Sequence, residues 1–121
     1  MTYEARVVSG RGRGRRIGFP TVNLKIPNPF PYAHGIYAGL VWVDGRQFLT
    51  AFHFGPIPTF HEEAPSLEAY LIDAEISEVP ETVVFELVKF LREIKTFLTA
   101  EELAVQIRQD VEDVRQTLNQ T

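Results

Sequence analysis

Apolar and polar positions change period once along this chain. From Tyr3 to Arg92 the apolar residues come in short strand-like runs, and from Thr99 onward they recur at helical spacing. YEARVV (3–8) is a short β-like run. TVNLKI (21–26) reads as a second strand, begun after Pro20 and closed by Pro27, Pro29 and Pro31. GIYAGLVWV (35–43) is apolar on both faces, as expected of a strand inside a barrel or sandwich. Asp44-Gly45 is a strong hairpin signal, with QFLTAFHF (47–54) returning as the partner strand. A Pro-rich loop, 55–65, precedes SLEAYLID (66–73), and VVFELVKFLR (83–92) is the last strand. Leu103, Ile107, Val111, Val114 and Leu118 then make one apolar stripe. Thr99 with Glu102 three residues on is a capping box that marks the helix start. A lone amphipathic helix needs its stripe buried, so the pattern predicts a helix over about 99–118 covering an open end of the strands. The architecture expected is mainly β: a small antiparallel barrel over about 1–97, then the C-terminal helix, in a single domain spanning 1–121.

Composition narrows the class. At 121 residues the chain suits one domain, and 45% hydrophobic with 23% charged residues is globular composition. With no cysteine, disulfides, thiolate metal sites and a cysteine nucleophile are excluded. No signal-like start and no apolar run of membrane-spanning length is visible, so the sequence predicts a cytoplasmic protein with no membrane partner. The net charge of −4 is unevenly spread: residues 1–25 carry six basic side chains against Glu4, and the remainder six basic against fifteen acidic. The division is +5 and −9. A concentrated basic end on an acidic protein suggests a local anion site rather than a nucleic-acid partner.

That basic end is GRGRGRR (10–16), followed by IGFPTVN (17–23). Alternating glycines let successive backbone N–H groups turn inward as an anion-binding nest, and arginine suits phosphate. It is not a Walker loop, because no Gly-Lys-Ser or Gly-Lys-Thr follows and no helix opens behind it. A solvated Arg-Gly loop would look the same. Thr21 and Asn23 sit at i and i+2, so in a strand both project from one face. A hydroxyl and an amide oxygen are hard ligands of the kind that hold Mg²⁺ beside nucleotide phosphates.

Glu68 shares a strand face with Tyr70 and Ile72. A carboxylate among bulky apolar neighbours is a candidate general base, because partial desolvation raises its pKa; a solvent-facing strand residue fits the periodicity equally. His34, His53 and His61 lack metal-ligand spacing and read as surface or supporting residues. Ser9, Ser66 and Ser77 have no nucleophile-elbow context. Glu101, Glu102, Asp110, Glu112 and Asp113 read as mostly the solvated face of the helix, the first two also favoured by its N-terminus.

In order along the chain, GRGRGRRIGFPTVNL, GIYAG, FGPIPTF, SLEAYLID, FLREIKTF and EELAVQIRQD resemble the riboflavin kinase (flavokinase) family. The most specific block is Gly18 to Asn23, similar to the family's G-F-P-T-A-N. The resemblance implies a six-stranded Greek-key barrel with a C-terminal helix. It implies transfer of the ATP γ-phosphate to the ribityl 5′-hydroxyl of riboflavin, giving FMN and ADP. Carried onto this chain, Gly10, Gly12, Arg13 and Gly14 would line the nucleotide phosphates. Thr21 and Asn23 would hold Mg²⁺ and phosphate oxygens, and Glu68 would be the catalytic base. Arg92 and Phe97 match the segment that covers the flavin. The partners implied are riboflavin and ATP, acting on a monomer.

Two blocks depart from the family pattern. Where it has D-x-Y-G the chain reads Ser77-Glu-Val-Pro80, losing an aromatic hydroxyl and a permissive backbone, and its N-I-G appears as His53-Phe-Gly55. The first departure favours the alternative of a catalytically silent flavin- or nucleotide-binding barrel of the same fold. An RNA-binding barrel using GRGRGRR is opposed by the −9 of residues 26–121. The H-x-G-H-type motif of the adenylyltransferase often fused to such kinases is absent, so FAD synthesis is not expected.

Overall fold

The computed structural model describes residues 1–8, 21–57, 62–75, 78 and 80–118. Six strands are present: β1 (Tyr3–Val8), β2 (Thr21–Leu24), β3 (Gly35–Val43), β4 (Arg46–Ile57), β5 (Glu62–Leu71) and β6 (Thr82–Arg92). One helix follows, α1 (Ala100–Leu118). The strands close into a barrel in the order β1-β2-β5-β4-β3-β6, every pair antiparallel. β3, β4 and β5 form a meander and β6 returns beside β3, which is a Greek key.

Alternation decides which residues enter the barrel. Val22 and Leu24 from β2, Tyr37, Val41 and Val43 from β3, Phe52 and Phe54 from β4, Leu67, Ala69 and Leu71 from β5, and Phe85 from β6 form the interior. Burying a side chain such as Phe52 or Phe85 contributes roughly 1.5–3 kcal/mol. Gly39 has a packing reason: a Cβ there would collide with the Glu86 carbonyl oxygen and the Phe52 ring. The Asp44-Gly45 turn takes positive φ at both residues, 49° and 80°, as a two-residue hairpin requires.

The helix does not cover an open end. It lies on the outer wall, where Ile107, Val111 and Val114 pack against Ala38, Ala51, Tyr70 and Ile72. The reason is the second apolar face of β3 and β4: Ala38 and Ala51 are neighbours in the ladder, and their small side chains let a helix approach the sheet. Its start is capped as expected, with the Glu102 N–H donating to Thr99 Oγ1 at 3.1 Å. Glu102 Oε2 accepts from the Leu98 N–H at 3.0 Å. Several strands also differ in extent from their sequence pattern: β2 ends at Leu24 rather than at residue 26. β4 continues to Ile57 and β5 begins at Glu62, so part of the expected Pro-rich loop is strand. Pro56 and Pro65 are tolerated because both fall in the irregular stretch between the Gly55–Ser66 and Ile57–Glu62 pairs.

Candidate functional site

Following the ladder pairs sideways through one residue gives a continuous girdle. Val8 pairs with Asn23, Asn23 with Glu68, Glu68 with His53, His53 with Ile36, and Ile36 with Arg92. Each of the six strands contributes one residue. Paired residues share a face, so Asn23, Glu68 and His53 all point outward, because Val22, Leu24, Leu67, Ala69, Phe52 and Phe54 point inward. This register is strongly specified: a one-residue slip of β5 would place Glu68 in the barrel core.

Thr21 belongs to the next row of the same outer face, paired with Tyr70. The structure thus brings Thr21, Asn23 and Glu68 together on adjacent strands. Directly opposed residues have Cβ atoms about 4.5–5.5 Å apart. Glu68 is fully buried despite facing away from the interior, which removes the reading of a solvent-facing strand residue. His53, also buried, is its neighbour on the other side. Of the two expectations for His53, burial excludes a surface position. The expected phosphate-loop residues Gly10, Gly12, Arg13 and Gly14 lie outside the described residues, as do Ser9, His61, Ser77 and Val79.

Arg92 occupies the β6 end of the girdle, and its guanidinium is engaged within the protein. Nε donates to Asp110 Oδ1 at 2.8 Å, Nη2 to Asp110 Oδ2 at 2.7 Å, and Nη1 to the Glu93 carbonyl at 2.9 Å. Gln106 Nε2 adds a hydrogen bond to Asp110 Oδ1 at 3.1 Å. Asp110 is 2% exposed, so it is not part of the helix's solvated face as its charge suggested. The signal was present in its spacing: it lies three residues after Ile107 and beside Val111, on the apolar stripe. The pair fastens the end of β6 to the middle of α1. Phe97, half-buried, follows in the irregular segment that joins them. Ile94 of that segment approaches Gly55, where a Cβ would lie 2.6 Å from Ile94 Cδ1.

A groove of about 520 Å³ runs between β6 and the end of α1, lined by Lys89, Phe90, Leu91, Asp113, Gln116 and Thr117. It lies on the β6 flank, with β3 and β4 between it and β5, so it is separate from the Glu68 face.

Among the described residues there is no cluster of three or more His, Asp or Glu side chains suited to a metal. The donor set at Thr21 and Asn23 is of another kind, two neutral oxygen donors next to one buried carboxylate. Such a set suits a cation that keeps most of its ligands from water and phosphate, as Mg²⁺ does.

A family model described as Flavokinase, riboflavin kinase, matches residues 1–118. The chain belongs to the riboflavin kinase family. A bifunctional riboflavin kinase/FMN adenylyltransferase of Bacillus subtilis (strain 168) is 33% identical over 111 residues, which cover 88% of this chain and 35% of that protein. The chain thus spans little more than a third of the length of such curated relatives. Among solved structures, one titled as a macrolide-efflux protein from Streptococcus pneumoniae superposes with a TM-score of 0.80 at 28% identity. The match covers 94% of this chain and 38% of that one. A riboflavin kinase from Trypanosoma brucei superposes with a TM-score of 0.68 at 19% identity, covering 98% and 80% of the two chains, which is a likeness of fold. Family membership also accounts for the closed six-stranded barrel with its external helix.

Proposed function

We propose that this chain is an ATP:riboflavin 5′-phosphotransferase that forms FMN and ADP. The observation that carries the reading is the ladder pair of Asn23 with a fully buried Glu68, inside a chain matched by the riboflavin kinase family from residue 1 to 118. Phosphoryl transfer asks little covalent chemistry of a protein; it needs in-line positioning and groups aimed at the developing charge. In this reading the ribityl 5′-oxygen attacks the γ-phosphorus, the bond to the β–γ bridging oxygen breaks, and Glu68 takes the hydroxyl proton. General-base assistance of this kind is worth about 10²–10⁴-fold in rate.

Thr21 and Asn23 would hold Mg²⁺ with phosphate oxygens, the metal supplying charge neutralisation. Gly10, Gly12, Arg13 and Gly14 would line the phosphates. Arg92 and Phe97 would belong to the flavin side. For Arg92 the Asp110 pair supports an indirect contribution, through the placement of the segment leading to Phe97.

Incubating the protein with riboflavin and Mg·ATP and separating the products by chromatography tests the proposal. FMN formed in step with ADP is the expected result. Riboflavin or nucleotide binding without FMN would instead identify a silent binding barrel, the reading favoured by Val79-Pro80.

A further inference from the structure

His53 has an arrangement that the phosphotransfer reading alone does not use. Its Nε2 lies 3.0 Å from the carbonyl oxygen of Gly55 and 3.0 Å from that of Pro56. Carbonyl oxygens only accept, so Nε2 carries a proton and shares it between them. This fixes the ring's tautomer and its plane. The two acceptors sit where β4 needs fixing. Gly55 has φ +130°, the β4–β5 register shifts between Gly55 and Ile57, and Ser66 Oγ also approaches the Gly55 carbonyl, at 3.5 Å.

The same ring stands at the ladder position directly across from Glu68, on the side opposite Asn23. His53 is 7% exposed and Glu68 fully buried. A buried carboxylate flanked by a locked ring has fewer rotamers available and less water beside it than one flanked by a small or mobile side chain. We propose that His53 is a positioning residue for Glu68. Its Nε2–H ties the ring to the irregular end of β4, and the fixed ring holds the Glu68 carboxyl in one orientation toward the Asn23 side. The proposal rests on Glu68 being the base.

The test is a double-mutant cycle on the full chain, with kcat, KM for riboflavin, KM for Mg·ATP and thermal stability measured for each protein. H53A is expected to lower kcat by about tenfold to a hundredfold, the cost of a small displacement of a reacting group, with both KM values within about twofold of the parent. H53Q, which keeps an N–H donor at similar reach, is expected to recover most of the loss, whereas H53F, which keeps a ring without the donor, is not. H53A/E68Q is expected to turn over no more slowly than E68Q, because a residue acting through another adds nothing once that other is gone.

Losses that multiply in the double variant, parental kcat in H53A, or equal activity in H53F and H53Q would each overturn the proposal. Parental kcat in E68Q would overturn the base assignment itself, which separates the two failures. Imidazole ¹⁵N shifts of the parent supply a reading independent of variant folding. A proton on Nε2, with ring signals that move in E68Q, supports the pairing. A proton on Nδ1 alone, or signals indifferent to E68Q, refutes it.

Discussion

Asn23 and Glu68, forty-five positions apart in the chain, face each other across the β2–β5 ladder on the outside of the barrel, and the carboxylate of the pair is completely buried. Under the proposed function, an amide and a carboxylate held side by side would give one wall both a metal- or phosphate-directed oxygen and a proton acceptor. In the proposed reaction these are the two chemical needs of phosphoryl transfer to an alcohol.

Replacing that acceptor has a defined outcome. Glu68→Gln preserves shape and hydrogen-bonding capacity but cannot take a proton. FMN formation should fall by about 10²–10⁴-fold while nucleotide affinity, measured by calorimetry, stays near that of the parent. An unchanged rate would remove Glu68 from the chemistry.

Thr21→Ala removes an oxygen donor from the same outer face without altering the interior. Hydrogen bonds to charged groups contribute about 1.5–3 kcal/mol, so KM for Mg·ATP should rise by about tenfold to a hundredfold. Riboflavin affinity should change far less. Titrating Mg²⁺ against rate checks the origin of the effect, since a weakened metal site shifts the metal requirement upward.

The Arg92–Asp110 pair should act on stability. Both side chains are shielded, at 14% and 3% exposure, so Asp110→Ala leaves a guanidinium buried without its partner. Such losses cost about 3–5 kcal/mol, readable as a lower urea midpoint. The double replacement of Arg92 by Met and Asp110 by Leu should be less damaging than Asp110→Ala, because no uncompensated charge remains. If all these variants unfold at the parental midpoint, the pair contributes nothing to the attachment of the helix.

The aromatic cluster at Tyr3, Phe30 and Tyr32 predicts a dependence on alkaline pH. The hydrogen bond shared with Tyr3 and, after it, burial push the Tyr32 phenol up to about 12. Burial also raises Tyr37. A phenol held protonated in the folded protein stabilises it fully below the ordinary value near 10. That contribution declines as pH rises from there and is lost on passing about 12. Absorbance at tyrosinate wavelengths should therefore develop in separate stages, with the urea midpoint falling across the same interval. Tyr32→Phe should remove the late stage.

Local chemistry made much of the fold legible. β1 and β3 follow their apolar runs, and the Asp44-Gly45 turn and the Thr99 cap formed where their side chains favour them. The site was legible as residue types: Thr21 and Asn23 two apart on one strand, and Glu68 among apolar neighbours. What periodicity could not supply was register. The adjacency of Glu68 to both Asn23 and His53 depends on pairings between strands distant in sequence, and no local pattern encodes them. The seat of the helix is hidden from the sequence for a different reason. The second apolar face of β3 was visible, but an apolar outer face can be covered in several ways, and only the paired alanines Ala38 and Ala51 reveal where a helix fits.

The seat for α1 has a consequence for how the protein must be made and handled. Strands oily on both sides are hazardous while one side is uncovered, because exposed apolar sheet surface invites sticking between chains. In this protein the covering piece comes after all six strands in the chain. A chain ending before Leu103 would have completed its barrel and still display Ala38, Ala51, Tyr70 and Ile72 to water, so the final turns of helix act as a solubilising coat as much as a source of stability.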